Sequence, residues 1–328
     1  MYFKYPEVVE ITSLGYFLMS RKLKGEFVVQ VKTLDEKIIL RENLSEKEYE
    51  EIIRLEGICN KEDKVNLKLE LDFKMNFIKS SNNCGIENIN EFLYYNNNTL
   101  VSYLGIVSFG GKKTAEINGM THPDFKRKGL FKKLLDLALE ECHRAKYDKI
   151  LLLCDGKSKS GIKFIEDNLG KYSFSEYRMK ANNKIHNEVA KNIVLRKATN
   201  EDGKEIVKQN EIYFGQPLEY ECFPEEEEKV GQITYMVELK NKIIGKITIS
   251  FGDGPAFISG VGILPQYRGR GYGKETLKEA LRLIKERGIN EVELDVECKN
   301  DTALSLYKEC GFQEQSSMNY YRLCSKIE

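Results

Sequence analysis

The densest chemical signal in the sequence is the hexapeptide Arg268-Gly269-Arg270-Gly271-Tyr272-Gly273. Glycine has no Cβ, so glycine at alternate positions lets successive backbone N–H groups converge on one point. The hexapeptide falls between an apolar stretch and an amphipathic one, where a helix would begin, and a helix N-terminus carries about half a positive charge. Arg268 and Arg270 add two full charges. Such a loop suits a phosphate or pyrophosphate. It is not the nucleoside triphosphate loop G-x-x-x-x-G-K-[ST], because Glu275 follows Gly273-Lys274. Nor is it the dinucleotide pattern G-x-G-x-x-G, because the glycines fall at 269, 271 and 273. Taken alone, the same residues also describe a glycine-rich turn with a solvated basic edge.

The elements that must position the loop are legible on either side. The stretch 257–263 reads as a strand ending before Pro265. The segment 271–287 places Leu277, Ala280, Leu281 and Ile284 at i, i+3, i+4 and i+7, the stripe of a helix with one buried face. Val292, Leu294 and Val296 alternate with Glu291, Glu293, Asp295 and Glu297, as in a half-buried strand. Upstream, 193–197 reads as a strand, 200–213 as a capped helix and the run Glu225 to Glu228 as an acidic loop. The segments 233–239 and 242–250 form an antiparallel hairpin about Lys240-Asn241. A short helix at 301–309 and a strand at 312–323 complete the series.

The order occurs twice. Around Pro123 the chain again passes from an apolar strand through proline, an aromatic residue and a basic cluster with glycine into an amphipathic helix and a second strand. The prolines at 123 and 265 lie 142 residues apart, one domain length. A two-copy repeat of this period predicts two similar domains in tandem, since a solenoid needs at least three shorter units. The expected domains are 1–180 and 193–328, with the polar segment 181–192 as linker. Strands of the first copy are expected at 91–95, 100–109, 115–121 and 175–180. Residues 1 to about 40 have no counterpart in the second copy and receive no role.

Composition narrows the function classes. The 328 residues are 41% hydrophobic and 31% charged, an ordinary globular mixture. The 51 Lys and Arg balance 51 Asp and Glu, which disfavours a nucleic-acid binder. The longest apolar run, 150–154, is far short of the ~20 residues that span a bilayer. The start MYFKYPEVVE carries a charge and a proline where a signal peptide needs an apolar stretch, so a cytoplasmic protein without membrane contact is expected. Eight scattered cysteines with no C-x-x-C pair read as reduced, mostly buried thiols. The histidines, at 122, 143 and 186, lack metal-ligand spacing, so no metal is expected.

Two stretches together resemble a known family. ILPQYRGRGYG resembles the acyl-CoA signature of the GCN5-related N-acetyltransferase (GNAT) family, R/Q-x-x-G-x-G/A after a strand ending V-x-P. Downstream, KNDTALSLYKECGF resembles the second signature, N-x-x-A-x-x-L-Y-x-x-x-G-F, with Asn300, Ala303, Leu306, Tyr307, Gly311 and Phe312 in register. The resemblance covers 193–325 well and 85–180 more loosely. It implies an α/β (α+β) chain of two tandem GNAT-like domains, each a mixed, mostly antiparallel sheet flanked by helices with two splayed parallel strands. It implies acetyl-CoA as cofactor, with CoA as product. The pyrophosphate would lie on Arg268, Gly269, Arg270, Gly271, Tyr272 and Gly273, with Asn300 also at the cofactor. The pantetheine arm would pair with 257–263 beside the splayed strand 291–296. Tyr307 would protonate the departing thiolate.

The chemistry so implied is acetyl transfer to an amine by direct attack. A backbone N–H near Ile263 would polarise the thioester carbonyl. A base must take the amine proton, and the candidates are Glu297, Asp253 and the run Glu225 to Glu228, of which Glu297 is preferred. Cys298 and Cys310 suggest an acyl-cysteine route, set aside because neither has a histidine nearby in sequence. The acceptor is left open between a small-molecule amine and a peptide or protein amine, as is the oligomeric state. In the first copy the loop reads Lys126-Arg127-Lys128-Gly129-Leu130-Phe131. Lys126, Arg127, Lys128 and Gly129 keep charge enough to attract a phosphate. Phe131 replaces Gly273, and Phe164 is the aromatic nearest the tyrosine position. Glu116 is a candidate base or an exposed charge on its strand. This copy is therefore read as degenerate: it holds CoA or shapes the cleft without catalysing. Competing readings are a non-catalytic CoA-binding protein and an aminoacyl-tRNA-dependent ligase of the same fold.

Overall fold

The computed structural model describes residues 10–11, 16–17, 26–30, 35–72, 74–75, 88–108, 114–182, 190, 192–214, 222–252 and 254–323, the first three of these segments by backbone alone. The chain packs into two units. Unit 1 takes the residues up to Ser173 together with those from Asn319 onward, and unit 2 runs Phe174–Met318.

In unit 1, seven strands follow one another as antiparallel neighbours: β1 (Glu10–Ile11), β2 (Tyr16–Phe17), β3 (Glu26–Gln30), β4 (Glu36–Arg41), β5 (Glu91–Asn96), β6 (Thr99–Val107) and β7 (Thr114–Thr121). Helix α1 (Glu46–Asp63) lies between β4 and β5 in sequence. Helix α2 (Leu130–Arg144) is the crossover that a parallel pair requires, and β8 (Lys149–Asp155) returns parallel to β7. Helix α3 (Lys159–Asp167) follows. The two faces of the sheet have separate cores. Leu134, Leu135, Ala138 and Cys142 of α2 pack with Phe92 and Leu104, while Ile52, Leu55 and Cys59 of α1 pack with Leu93 and Tyr103.

Two elements of unit 1 add to the sequence expectation. Strand β4 and helix α1 precede the expected start of the first copy, so part of the segment without a role is β-sheet. The helix had a signal: Ser45 and Glu48 form a capping box, and Ile52, Leu55 and Cys59 form its buried stripe. The strand expected at 100–109 ends at Val107, with Phe109 outside the described residues.

Unit 2 opens with the latter part of β9 (Gly170–Asn182). Then come β10 (Val194–Lys197), α4 (Gly203–Phe214), α5 (Pro224–Lys229), β11 (Gln232–Leu239), β12 (Lys242–Ser250), β13 (Ala256–Ile263), α6 (Tyr272–Glu286), β14 (Glu291–Glu297), α7 (Asp301–Glu309) and the first part of β15 (Gln313–Leu323), up to Met318. Strands β10 to β13 are antiparallel neighbours, and β13 and β14 are parallel. Strand β9 closes on β14, where Arg178 forks onto Asp295 and also reaches Glu293. Ala181 and Asn182, expected in the linker, are thus strand residues; 183–189 and 191 lie outside the described residues. The acidic run is a short helix, not a loop, because Pro224 supplies a preset first helical residue. Its carboxylates are engaged: Glu225 by Asn200, Glu226 by Lys229, Glu227 by Gln232 and Glu228 by Lys197.

The stripe of α6 is buried as its spacing requires, with Leu277, Ala280, Leu281 and Ile284 against Ile247, Ile249, Val292 and Leu294. This packing fixes the start of α6, and therefore the glycine loop, against the sheet. Leu281→Ala is expected to lower the stability of unit 2 by about 2–5 kcal/mol, the cost of a core cavity. Urea unfolding against wild type measures it.

Candidate active site

The parallel ladder between β13 and β14 holds over three pairs, Ala256–Val292, Phe257–Glu293 and Ile258–Leu294, and ends there. Strand β13 runs on to Ile263. The departure coincides with a slip against its other neighbour: Thr248 pairs Ser259, but Lys246 pairs Gly262. Two residues, Gly260 and Val261, thus oppose Ile247 alone. Gly260 takes φ +58°, a left-handed conformation natural for glycine in a bulge. Beyond it, Leu264 N–H donates to Ile244 O across to β12. Alternation along a strand then turns the Ile263 N–H and C=O to the opposite edge, where β13 has left β14. The Ile263 carbonyl there accepts from Arg268 Nε at 2.8 Å.

The loop follows directly. Gly269 (φ +73°) and Gly271 (φ +83°) are both left-handed. A Cβ on either would meet nothing within 4 Å, so conformation demands glycine here and open space lies before both residues. Gly271 caps α6 without any side-chain bond, which leaves the first N–H groups of the helix to face that space. Gly273 sits deeper: a Cβ there would lie 3.5 Å from Leu306 and 3.9 Å from Ile263. The start of α6, helix α7 and the end of β13 converge at this point. The cradle fits an anionic group with a chain running from it along β13.

Tyr307, next to Leu306, is buried with its ring edge-to-face on Phe312. Burial pushes its hydroxyl up to about 12, so it stays protonated at neutral pH. Glu297 ends β14 with its side chain exposed. Asn300 caps α7, its side chain accepting from Ala303 N–H at 3.1 Å, which commits that oxygen to the helix. Asp253 lies outside the described residues. Burial pushes the Cys310 thiol up to about 11 and raises that of Cys298, the opposite of what an attacking thiolate needs.

Unit 1 repeats the loop with a different filling. Arg127 (φ +63°) and Gly129 (φ +79°) take the left-handed conformations of Gly269 and Gly271. The backbone nest is therefore kept, with a non-glycine residue where glycine costs least. The charges are diverted: Lys126 pairs with Asp63, and Lys128 stands 4.6 Å over the Phe125 ring. Phe131 packs edge-to-face on Phe164 and lies against Gly119 of β7. Helix caps fix the register of the second motif. Ser158 caps α3 as Asn300 caps α7, so Ile165 matches Tyr307 and Phe164 matches Leu306. Strand β6 pairs β7 without a slip. Beyond the last β7–β8 pair, Ile117–Leu152, the segment Lys68, Leu69 and Glu70 lies against Glu116, Asn118 and Leu153, leaving a cavity of about 10 Å³. Asn66 anchors this segment, its backbone N–H donating to Asp155 at 2.9 Å.

Parted parallel strands beside a glycine loop at a helix N-terminus define an acyltransferase architecture present twice. Residues 64–170 and 202–312 each match the acetyltransferase (GNAT) family, and the chain belongs to it as a tandem acetyltransferase. An N-alpha-acetyltransferase of Arabidopsis thaliana, MAK3, is 31% identical over 96 residues, 28% of this chain and 50% of that protein. The chain thus spans half the length of that relative. The N-alpha-acetyltransferase of Sulfolobus acidocaldarius is 27% identical over 143 residues, 40% of this chain and 85% of that one. Among solved structures, a GCN5-related N-acetyltransferase from Sphaerobacter thermophilus superposes with a TM-score of 0.67 at 18% identity, over 87% of this chain and 95% of that one. A tandem GNAT protein from the clavulanic acid biosynthesis pathway gives 0.65 at 11%, over 88% and 98%.

Gly271→Asp directs a carboxylate into the open space before α6 and strains the left-handed position. Calorimetry should show CoA binding weakened about tenfold or more. Unchanged binding would put the cofactor elsewhere.

Proposed function

We propose that the protein transfers an acetyl group from acetyl-CoA to an amine by direct attack, with the reacting centre in unit 2. The observation that carries this reading is the meeting, at one end of β13, of its free edge with the helix N-terminus behind Gly269 and Gly271; the protonated Tyr307 adjoins Leu306, which lies against Gly273 there. Bound acetyl-CoA would supply an activated acyl group and a pyrophosphate handle. The N–H groups from Arg270 to Gly273 would hold the pyrophosphate, with Arg270 adding charge from the rim. The Ile263 N–H, turned to the free edge, would hold the thioester carbonyl oxygen as charge develops on it. Tyr307 would donate its hydrogen bond to the departing sulfur. A free thiol has pKa near ~8.5, well below that of the buried phenol, so the donor acts by stabilising charge as it forms rather than by early transfer. Glu297, exposed and with no ion pair among the described residues, is a candidate to take the amine proton.

The acceptor best supported is the α-amine of a peptide or protein, because relatives in organisms as distant as Arabidopsis and Sulfolobus are N-alpha-acetyltransferases. An α-amine, at ~7.7–8.0, is substantially neutral at physiological pH, which lightens the demand on any base. Unit 1 would not turn over: Phe131 covers the exit of β7, and Ile165 has no proton to give.

Three measurements test the reading. Thiol release from acetyl-CoA should appear with peptides bearing free N-termini; the absence of release with any amine tried would overturn it. Tyr307→Phe should lower kcat by about 10²–10⁴-fold while CoA affinity changes little. Turnover should survive Gly129→Asp and be lost in Gly271→Asp; the reverse pattern would move the reacting centre to unit 1.

A further inference from the structure

Lys246 is the buried charge that the mechanism above does not use. Its side chain is 3% exposed on β12, and Nζ donates to the Gly260 carbonyl at 3.3 Å. Among the described residues no carboxylate lies within 4 Å of it. An ammonium carries three donors, and desolvating it without a counter-ion costs free energy that a hydrophobic side chain would not. The place is specific. Lys246 pairs Gly262 just where the ladder slips, and a Cβ on Gly260 would sit 2.8 Å from Nζ. Its acceptor is thus the carbonyl of the left-handed glycine in the bulge of β13.

The other copy supplies a comparison within the same chain. By strand register Tyr103 on β6 stands where Lys246 stands on β12, since Tyr103 pairs Met120 as Lys246 pairs Gly262. The Tyr103 hydroxyl donates to Glu91, which also receives Lys74 at 2.8 Å, so that buried cluster is charge-balanced. There the ladder has no slip. The copy with the bulge carries the lone ammonium, and the copy without it carries a satisfied triad.

We propose that Lys246 is a positioning residue for acyl transfer: its ammonium grips the Gly260 carbonyl and so holds the bulge that presents the backbone N–H of Ile263 to the thioester. The proposal rests on unit 2 being the acetyl-transfer site. The groups facing Lys246 are the Cys222 thiol and Glu227 of α5; Tyr213 of α4 covers Gly262, and β11 and β12 contribute the Thr234 and Thr248 hydroxyls. Burial lowers the Lys246 ammonium to about 8 from an unperturbed 10.5. The unfolded chain therefore holds a proton that the folded chain has lost between those values, and stability should rise with pH across that window.

The test is Lys246→Met, which keeps the length and removes the charge. The expected result is a split: the thermal midpoint rises because a buried charge is gone, CoA affinity by calorimetry stays within about threefold, and kcat falls by about tenfold or more. The gain in stability between pH 8 and 10 seen in wild type should vanish. Lys246→Arg, which keeps charge and donors, should recover most of the lost kcat, and it serves if the methionine variant fails to fold. A methionine variant with unchanged kcat, or an arginine variant no better than methionine, overturns the proposal. Gly271→Asp, measured alongside, reads the site itself. Activity silenced by Gly271→Asp yet untouched by Lys246→Met leaves the acetyl-transfer reading standing and removes Lys246 from it. Activity that survives Gly271→Asp overturns both.

Discussion

In unit 2 a parallel pair of strands stops pairing after Ile258 and Leu294, and the rest of the site depends on that departure. Inside a sheet, a backbone N–H or C=O without a partner is costly, so strands do not separate unless something else determines their path. Just past that point β13 carries one extra residue, housed by a glycine at φ +58° whose carbonyl accepts from Lys246 Nζ. The separation frees an edge. The same strand end delivers the chain into the 3₁₀ turn Pro265–Tyr267 and then into the glycine loop. The end of β13 and the helix N-terminus thus lie together, held in place by the packing of α6 on the sheet.

The two copies show which parts of this arrangement are separable. Loop shape survives the loss of one of its two left-handed glycines: Arg127 adopts that conformation in unit 1 beside Gly129, so the nest is retained by the surrounding turn even at some strain. A Cβ on Gly129 would meet nothing within 4 Å, as on Gly271, so what differs is the filling beside the nest and the ladder behind it. Phe131 and Phe164 pack on each other where Gly273 and Leu306 meet in unit 2. Strand β7 keeps regular register, and the segment from Asn66 to Glu70 lies against the place where β7 and β8 cease to pair. The shape of the nest and the register of the sheet behind it are thus separate features of the fold.

Burial sets the protonation of the candidate groups in unit 2. It drives the Cys310 and Cys298 thiols away from the thiolate form, and the same desolvation keeps the Tyr307 phenol protonated.

Much of this was determined by the sequence alone. The amphipathic stripe of α6, the alternation of β14, the two-copy repeat and the glycines at 269 and 271 are local patterns, and each lies where its periodicity or backbone preference requires. Helix α1 was equally legible in its capping box and its Ile52, Leu55 and Cys59 stripe, though it stands ahead of the aligned repeat. The match of Ile165 rather than Phe164 to Tyr307 was legible too, because the 142-residue offset between the prolines carries 307 to 165, and the helix caps at Ser158 and Asn300 keep the same offset. Tertiary structure alone decided the slip of register at Lys246 and Gly262, the burial of that lysine and the diversion of Lys126 to Asp63. The physical reason is range. Periodicity and capping act over a few residues of one segment, whereas a register slip or a buried ammonium is defined by partners on other strands and helices, which a linear pattern does not name.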